Sequence, residues 1–273
     1  MNTLRLMFEF LRRDAKIAAS YRLQFIFQIA SVMSVCITFF FLSIMMRRVE
    51  GGISSLGDYG GHYFGFVLIG LAFSSYLDAA LRMLAQSIRQ AQMTGTLEAM
   101  LATRTPVAAV VAGSSMYTLA FTTVRMGTFL GFGSLLLEQQ RLHWEAWPGA
   151  LAVLLLTILA TLALGIFAAG FIVLFKQGDP ITGAIAGLSW LLSGILYPKE
   201  IFPIWVQGMA DWLPMTHTLR AMRLALLTGA EMPAFMDSMR FLAGFAAIAI
   251  PLALLWFRFA VGRARTAGSL AKY

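Results

Sequence analysis

Residues 23–46 read LQFIFQIASVMSVCITFFFLSIMM, 24 positions without a single charged side chain. The hydrocarbon core of a bilayer is about 30 Å thick and a helix rises about 1.5 Å per residue, so roughly 20 such residues cross it. A basic start followed by an apolar run is also how a secretory leader begins. A leader's apolar region is only about 7–15 residues, however, and a small-residue cleavage site follows it promptly. Here the run is far longer and no such site follows, so it reads as a retained membrane span.

The rest of the chain has the same character. Of the 273 residues 59% are hydrophobic and 12% charged, with a mean hydropathy of +0.76. Soluble domains carry about 25% charge; half of that cannot cover a folded surface of this size. Apolar runs place further spans at 62–84, 107–136, 150–175, 181–197 and 241–261, six with 24–46. The expected fold is an all-α integral membrane protein in which residues 1–273 form one transmembrane domain.

The net charge of +8 raises the question of nucleic acid, but no compact basic module stands clear of the apolar blocks. Lys and Arg instead gather at the edges of the spans. With six spans both termini share one side, which collects 13 of the 21 basic residues against 7 opposite, with Arg125 inside a span. The positive-inside rule puts both termini in the cytoplasm; Arg47 and Arg48 run against it. The single cysteine, Cys36, excludes an intrachain disulfide.

Between the terminus and the first span, residues 1–22 place Leu4, Met7, Phe8, Leu11, Ala15 and Ala18 on one helical face and Arg5, Glu9, Arg12, Arg13 and Lys16 on the other. A basic amphipathic helix of this kind lies in the membrane interface. Glycines recur four apart at Gly57/Gly61/Gly65, Gly127/Gly131 and Gly183/Gly187, and are expected to form faces where helices pack closely.

Catalytic patterns are missing: there is no phosphate loop, no HExxH and no Cys/His metal spacing, and His62, His143 and His217 are far apart. The expectation is no catalytic residue, no metal and no cofactor held by this chain. Charges inside spans are costly and therefore informative. Asp78 and Arg82 are one helical turn apart, and an internal ion pair is the plainer reading. Arg125 falls midway along the third span, where it either pairs with a neighbouring helix or lines a substrate path. No chain of acidic residues suggests a proton relay.

Two interruptions in the apolar pattern say more. Residues 86–106 (QSIRQAQMTGTLEAMLATRTP) are too polar to span, yet Leu97, Met100 and Leu101 share one apolar face. Thr94 and Thr96 are capping types and Pro106 suits a helix start. A short helix on the cytoplasmic side is a docking point for a soluble partner; an inert interfacial loop is the alternative. Residues 194–217 (GILYPKEIFPIWVQGMADWLPMTH) carry Pro198, Pro203 and Pro214 among Tyr197, Trp205 and Trp212. Short apolar pieces separated by proline cannot each cross a bilayer, so 198–215 is expected to be a re-entrant hairpin dipping into the outer leaflet, with tryptophans at the interface.

These two segments together resemble the membrane subunits of type-2 ATP-binding-cassette exporters. The resemblance rests on Gly95, Thr96, Leu97 and Glu98, followed by Leu101, Thr103 and Pro106. It rests equally on Ser193-Gly194, Tyr197-Pro198, Phe202-Pro203, Trp205, Pro214 and Thr216-His217. It implies a half-transporter of the bacterial cytoplasmic membrane, assembled from two copies or from this chain and a close paralogue. Two separate ATPase subunits would hold ATP and Mg. Residues 86–106 would be the coupling helix, the N-terminal helix would brace it, and the hairpin would line the exit. Amphipathic, lipid-like, drug-like and glycan substrates are all compatible. The competing functions are a secondary carrier or channel, which needs ion-coupling groups or inverted repeats not visible here, and a non-transporting scaffold.

Overall fold

The computed structural model describes residues 22–47, 57, 59, 61–93, 107–137, 141–175 and 179–266. All regular structure among the described residues is helical. The helices are α1 (Arg22–Arg47), α2 (Tyr63–Met93), α3 (Val107–Leu136), α4 (Trp147–Phe175), α5 (Asp179–Leu192), α6 (Ile204–Ala210), α7 (Pro214–Thr228) and α8 (Met236–Thr266), with short 3-10 turns at Trp144–Ala146, Lys199–Ile201 and Met232–Phe235. The interfacial helix expected over 1–22 lies, apart from Arg22, outside the described residues.

Five of these helices are long and apolar enough to cross a membrane: α1, α2, α3, α4 and α8. Their positions follow the apolar runs, because in lipid a helix is the form that satisfies every backbone N–H and C=O within one segment. Helix α8 carries Pro251 in its interior.

The apolar run at 181–197 behaves differently. Helix α5 stops at Leu192, five residues short of the expected end, and its 14 residues reach only about 21 Å. Hydropathy counts side chains; the end of this helix is decided by the backbone. Gly194 adopts φ +74°, a left-handed conformation that glycine takes without steric cost, and the chain turns out of the helix there. The proline-rich stretch after it, expected as a hairpin over 198–215, runs further than that. It forms a 3-10 turn at Lys199–Ile201, then α6, a turn at 211–213 and the longer α7, so the helical part extends to Thr228.

Helix α2 is the centre of the molecule: 89% of its apolar window is buried, with Phe66, Ile69, Phe73, Tyr76 and Leu77 sealed in the core. It packs chiefly on α4 and α3, and α4 in turn makes its most extensive contact with α8. Helix α7 is buried along its length through Met215, Leu219, Met222 and Leu226, against α4, α8 and α2. Apolar side chains gain little by leaving lipid, so such a helix is held by close packing and hydrogen bonds. One of these bonds is the fully buried contact of Thr218 Oγ1 with Thr157 Oγ1 of α4, at 2.9 Å.

Among the described residues, most glycines expected to form packing faces do not do so within the chain. A Cβ added at Gly61, Gly127, Gly131, Gly183 or Gly187 would meet nothing within 4 Å. Close approach occurs instead at Gly70, Gly133, Gly149 and Gly170. Spacing along one helix does not reveal what lies opposite it.

Candidate functional site

The end of α5 leaves carbonyls without helical partners, as every helix C-terminus does. Tyr197 Oη donates to Leu191 O at 2.7 Å. Gly194 O and Ile195 O accept from Arg223 Nη2 at 2.7 and 3.2 Å. Arg223 Nε donates to Phe66 O of α2 at 3.2 Å, and its guanidinium carbon lies 3.3 Å from the centre of the Phe66 ring. One side chain on α7 therefore binds the broken end of α5 and the beginning of α2 together.

Arg223 is 3% exposed. Burial pulls its pKa down to about 9, with Tyr59 and then Glu200 pulling it back up; it remains charged at neutral pH. No carboxylate within ion-pair distance of it is seen among the described residues, and carbonyl dipoles with the aromatic faces of Phe66 and Tyr59 surround it instead. The guanidinium fork suits this arrangement, since its donors are fixed in one plane and can serve several acceptors at once. Gly70, one turn beyond Phe66, lies against the same turn: a Cβ there would fall 2.2 Å from Ile195 O and 3.1 Å from Arg223 Nη2. In the sequence Arg223 is only one of the charges opposite the termini. Nothing in its spacing distinguishes it, because its three acceptors are main-chain atoms.

Around this core lie the residues singled out at 194–217. Pro198 is buried and precedes the 3-10 turn, and Tyr197 packs edge-on against Phe202 at 5.4 Å. Pro203 precedes α6, and Gln207 Nε2 donates to Phe202 O at 2.8 Å. Pro214 opens α7 at its first turn, where the missing N–H costs nothing. Lys199 pairs with Asp211 across α6. Thr216 Oγ1 donates to Ala210 O at 2.7 Å. In contrast, Ile204, 87% exposed, with Trp205, Met209 and Trp212, forms an open apolar surface on α6 and the turn after it.

His217 has its ring stacked on Phe241 of α8 at 3.8 Å, and Nε2 lies 2.9 Å from Asp211 O, which it can only meet as a donor. Burial lowers its pKa; Asp211 opposes this, while Lys199 and Arg220 add to it. A depressed histidine pKa means that the unfolded chain binds more protons, so stability rises with pH. Thermal stability in detergent is expected to fall as pH drops below about 6.5, and His217→Gln is expected to flatten that slope. An unchanged slope in the variant would assign the effect to another group.

The intramembrane charges divide. Asp78, half-buried on α2, accepts a hydrogen bond from the Trp190 side chain of α5, and Arg82 and Arg125 act on it through their charge. Arg82 is exposed. Arg125 is also exposed, in a shallow groove between α1 and α3 lined by Gln28, Val32, Phe121 and Thr128, with Phe129 5.9 Å from its guanidinium. Asp78 thus feels the charge of Arg125, and neither is among the contacts of the Arg223 junction. Helix α2 continues through Met93 into the segment read as a cytoplasmic connection. Gly95, Thr96, Leu97, Glu98 and Leu101 lie outside the described residues.

A bundle of membrane-length helices, one short apolar helix broken at a glycine and a buried helix beside it define a multi-pass membrane protein. The family model for the ABC-2 type transporter matches residues 8–227, well over half of the chain. The protein belongs to the ABC-2 type transporter family, whose members are the membrane permease components of ABC transporters. No curated protein matches the sequence.

Proposed function

We propose that this permease is the membrane half of an ATP-driven exporter, working as two copies or with a close paralogue alongside two separate ATPase subunits that hold ATP and Mg. Both termini face the cytoplasm of a bacterial cell, and residues 86–106 dock as the coupling helix through Gly95, Thr96, Leu97, Glu98 and Leu101. The 194–228 region is then an outer re-entrant element beside the exit. The substrate is amphipathic, lipid-like, drug-like or a glycan, and Arg125 is the polar group that lines its path.

The observation that carries this reading is the course of α2. It starts at the Arg223 junction, passes through the core and runs as one unbroken helix to Met93, directly before the Gly95–Glu98 run. A soluble ATPase that moved this segment would be pushing on the central helix of the bundle. Such coupling between a ligand at one place and a change of shape at another needs a rigid element biased between two arrangements.

The tagged chain, extracted in mild detergent, is expected to bring down an ATPase subunit. Truncating an apolar anchor at a docking point costs about 2 kcal/mol or more, roughly a thirtyfold loss of affinity. Leu97→Ala and Glu98→Ala should therefore weaken capture and stop transport. Absence of any ATPase, together with undiminished transport by both variants, would refute the reading.

A further inference from the structure

We infer that Arg223 is a mechanical joint: it makes the outer end of α2, the turn after α5 and α7 a single body, so that a displacement entering α2 at its coupling end moves the hairpin helices with it. The inference rests on the permease reading for the source of that displacement.

The geometry for such a joint is present in each of its parts. Helix α2 is 31 residues long, about 46 Å, and spans the distance between the coupling segment and the junction. At its far end the guanidinium contacts three carbonyls on two elements, Phe66 O on one side and Gly194 O and Ile195 O on the other. A planar fork held 3.3 Å over the Phe66 ring and bonded on two sides resists rotation as well as separation. Sliding α2 along the turn would strip a buried cation of its acceptors, and buried polar groups without partners are costly in a low dielectric. Gly70 removes the remaining freedom, since α2 and Ile195 O touch there with no side chain between them. The next part of the chain is free to follow: α6 and the turn after it present Ile204, Trp205 and Trp212 outward with little packed on them.

A purely static role would alter stability and nothing else, so the test reads movement. The complex of the full chain with its co-purified ATPase is placed in lipid nanodiscs on a Cys36→Ala background, with paired spin labels. One pair, at His62 and Thr228, reports α2 against α7; the other, at Met45 and Ile204, reports the hairpin against α1. With ATP, Mg and vanadate, the first distance is expected to stay constant while the second shifts. Arg223→Lys keeps the charge but serves fewer acceptors. In it the first distance is expected to vary with nucleotide and the second shift to shrink, while ATP hydrolysis continues. Separation of His62 from Thr228 in the unmodified protein during normal hydrolysis overturns the joint alone, as does a full hairpin shift in Arg223→Lys. Should no ATPase accompany the chain, both the permease reading and the joint fall.

Discussion

Arg223→Leu is expected to destabilise the protein by about 3 kcal/mol in SDS-titration unfolding from mixed micelles. Two effects oppose one another. Removing the guanidinium abolishes the cost of burying a charge, which is several kcal/mol even after relaxation, and leucine fills part of the vacated volume. Against this, Gly194 O and Ile195 O lie beyond the last helical turn of α5, and Arg223 is the donor that both of them meet. A buried acceptor left without its donor costs about 1–3 kcal/mol, and the bonds lost are of the stronger, charge-assisted kind. The carbonyls win because the turn has nowhere else to aim them. Arg223→Lys should fall between the two, since an ammonium donates but does not span three acceptors. A leucine variant as stable as the parent would show that water or a rearranged turn replaces the cation.

Gly70→Val is expected to cost about 3 kcal/mol, near the top of the usual range for overpacking, and Gly70→Ala somewhat less. The Cβ of any other residue would sit 2.2 Å from Ile195 O. That atom belongs to the main chain, so it cannot swing aside as a flexible side chain does. Either α2 retreats from the turn or the Arg223 bonds break, and the two variants should therefore be less than additive with Arg223→Leu. Gly127→Ala and Gly183→Ala provide the control: nothing lies within 4 Å of their added Cβ. They should be neutral or gain up to about 1 kcal/mol of helix propensity. Equal effects at Gly70 and Gly127 in the same unfolding assay would show that close approach is not what glycine supplies at position 70.

How far the site was legible depends on which atoms build it. Pro198, Pro203 and Pro214 announced a broken apolar run, because a missing N–H and a fixed φ disrupt helices whatever the surroundings. Gly194 was marked by its place in the pattern, and it is where α5 ends. Tyr197 and Trp205 belong to the same stretch and separate in the structure: Tyr197 caps the end of α5, while Trp205 faces outward. The helical part extends past 215 to Thr228 without a signal in the apolar pattern, because α7 has few long apolar runs. Its Thr216, His217, Thr218, Arg220 and Arg223 resemble a surface helix in composition. Only their partners, Ala210 O, Asp211 O, Thr157 and the carbonyls around Arg223, allow most of that face to be buried.

The sequence by itself determined the solvent and the positions of five long apolar helices, although it counted a sixth span at 181–197, and it marked the stretch after Leu192 where the apolar pattern fails. Those are properties of side-chain hydropathy and of proline and glycine stereochemistry, which act over a few neighbouring residues. Only the tertiary structure decided that α2 is the central helix, that Gly70 rather than Gly127 or Gly183 is the close contact, and that Arg223 holds α2, α5 and α7 together. The last two depend on main-chain atoms 28 to 157 residues away. A carbonyl oxygen is the same in every residue, so no pattern of side chains records which one a buried arginine will meet.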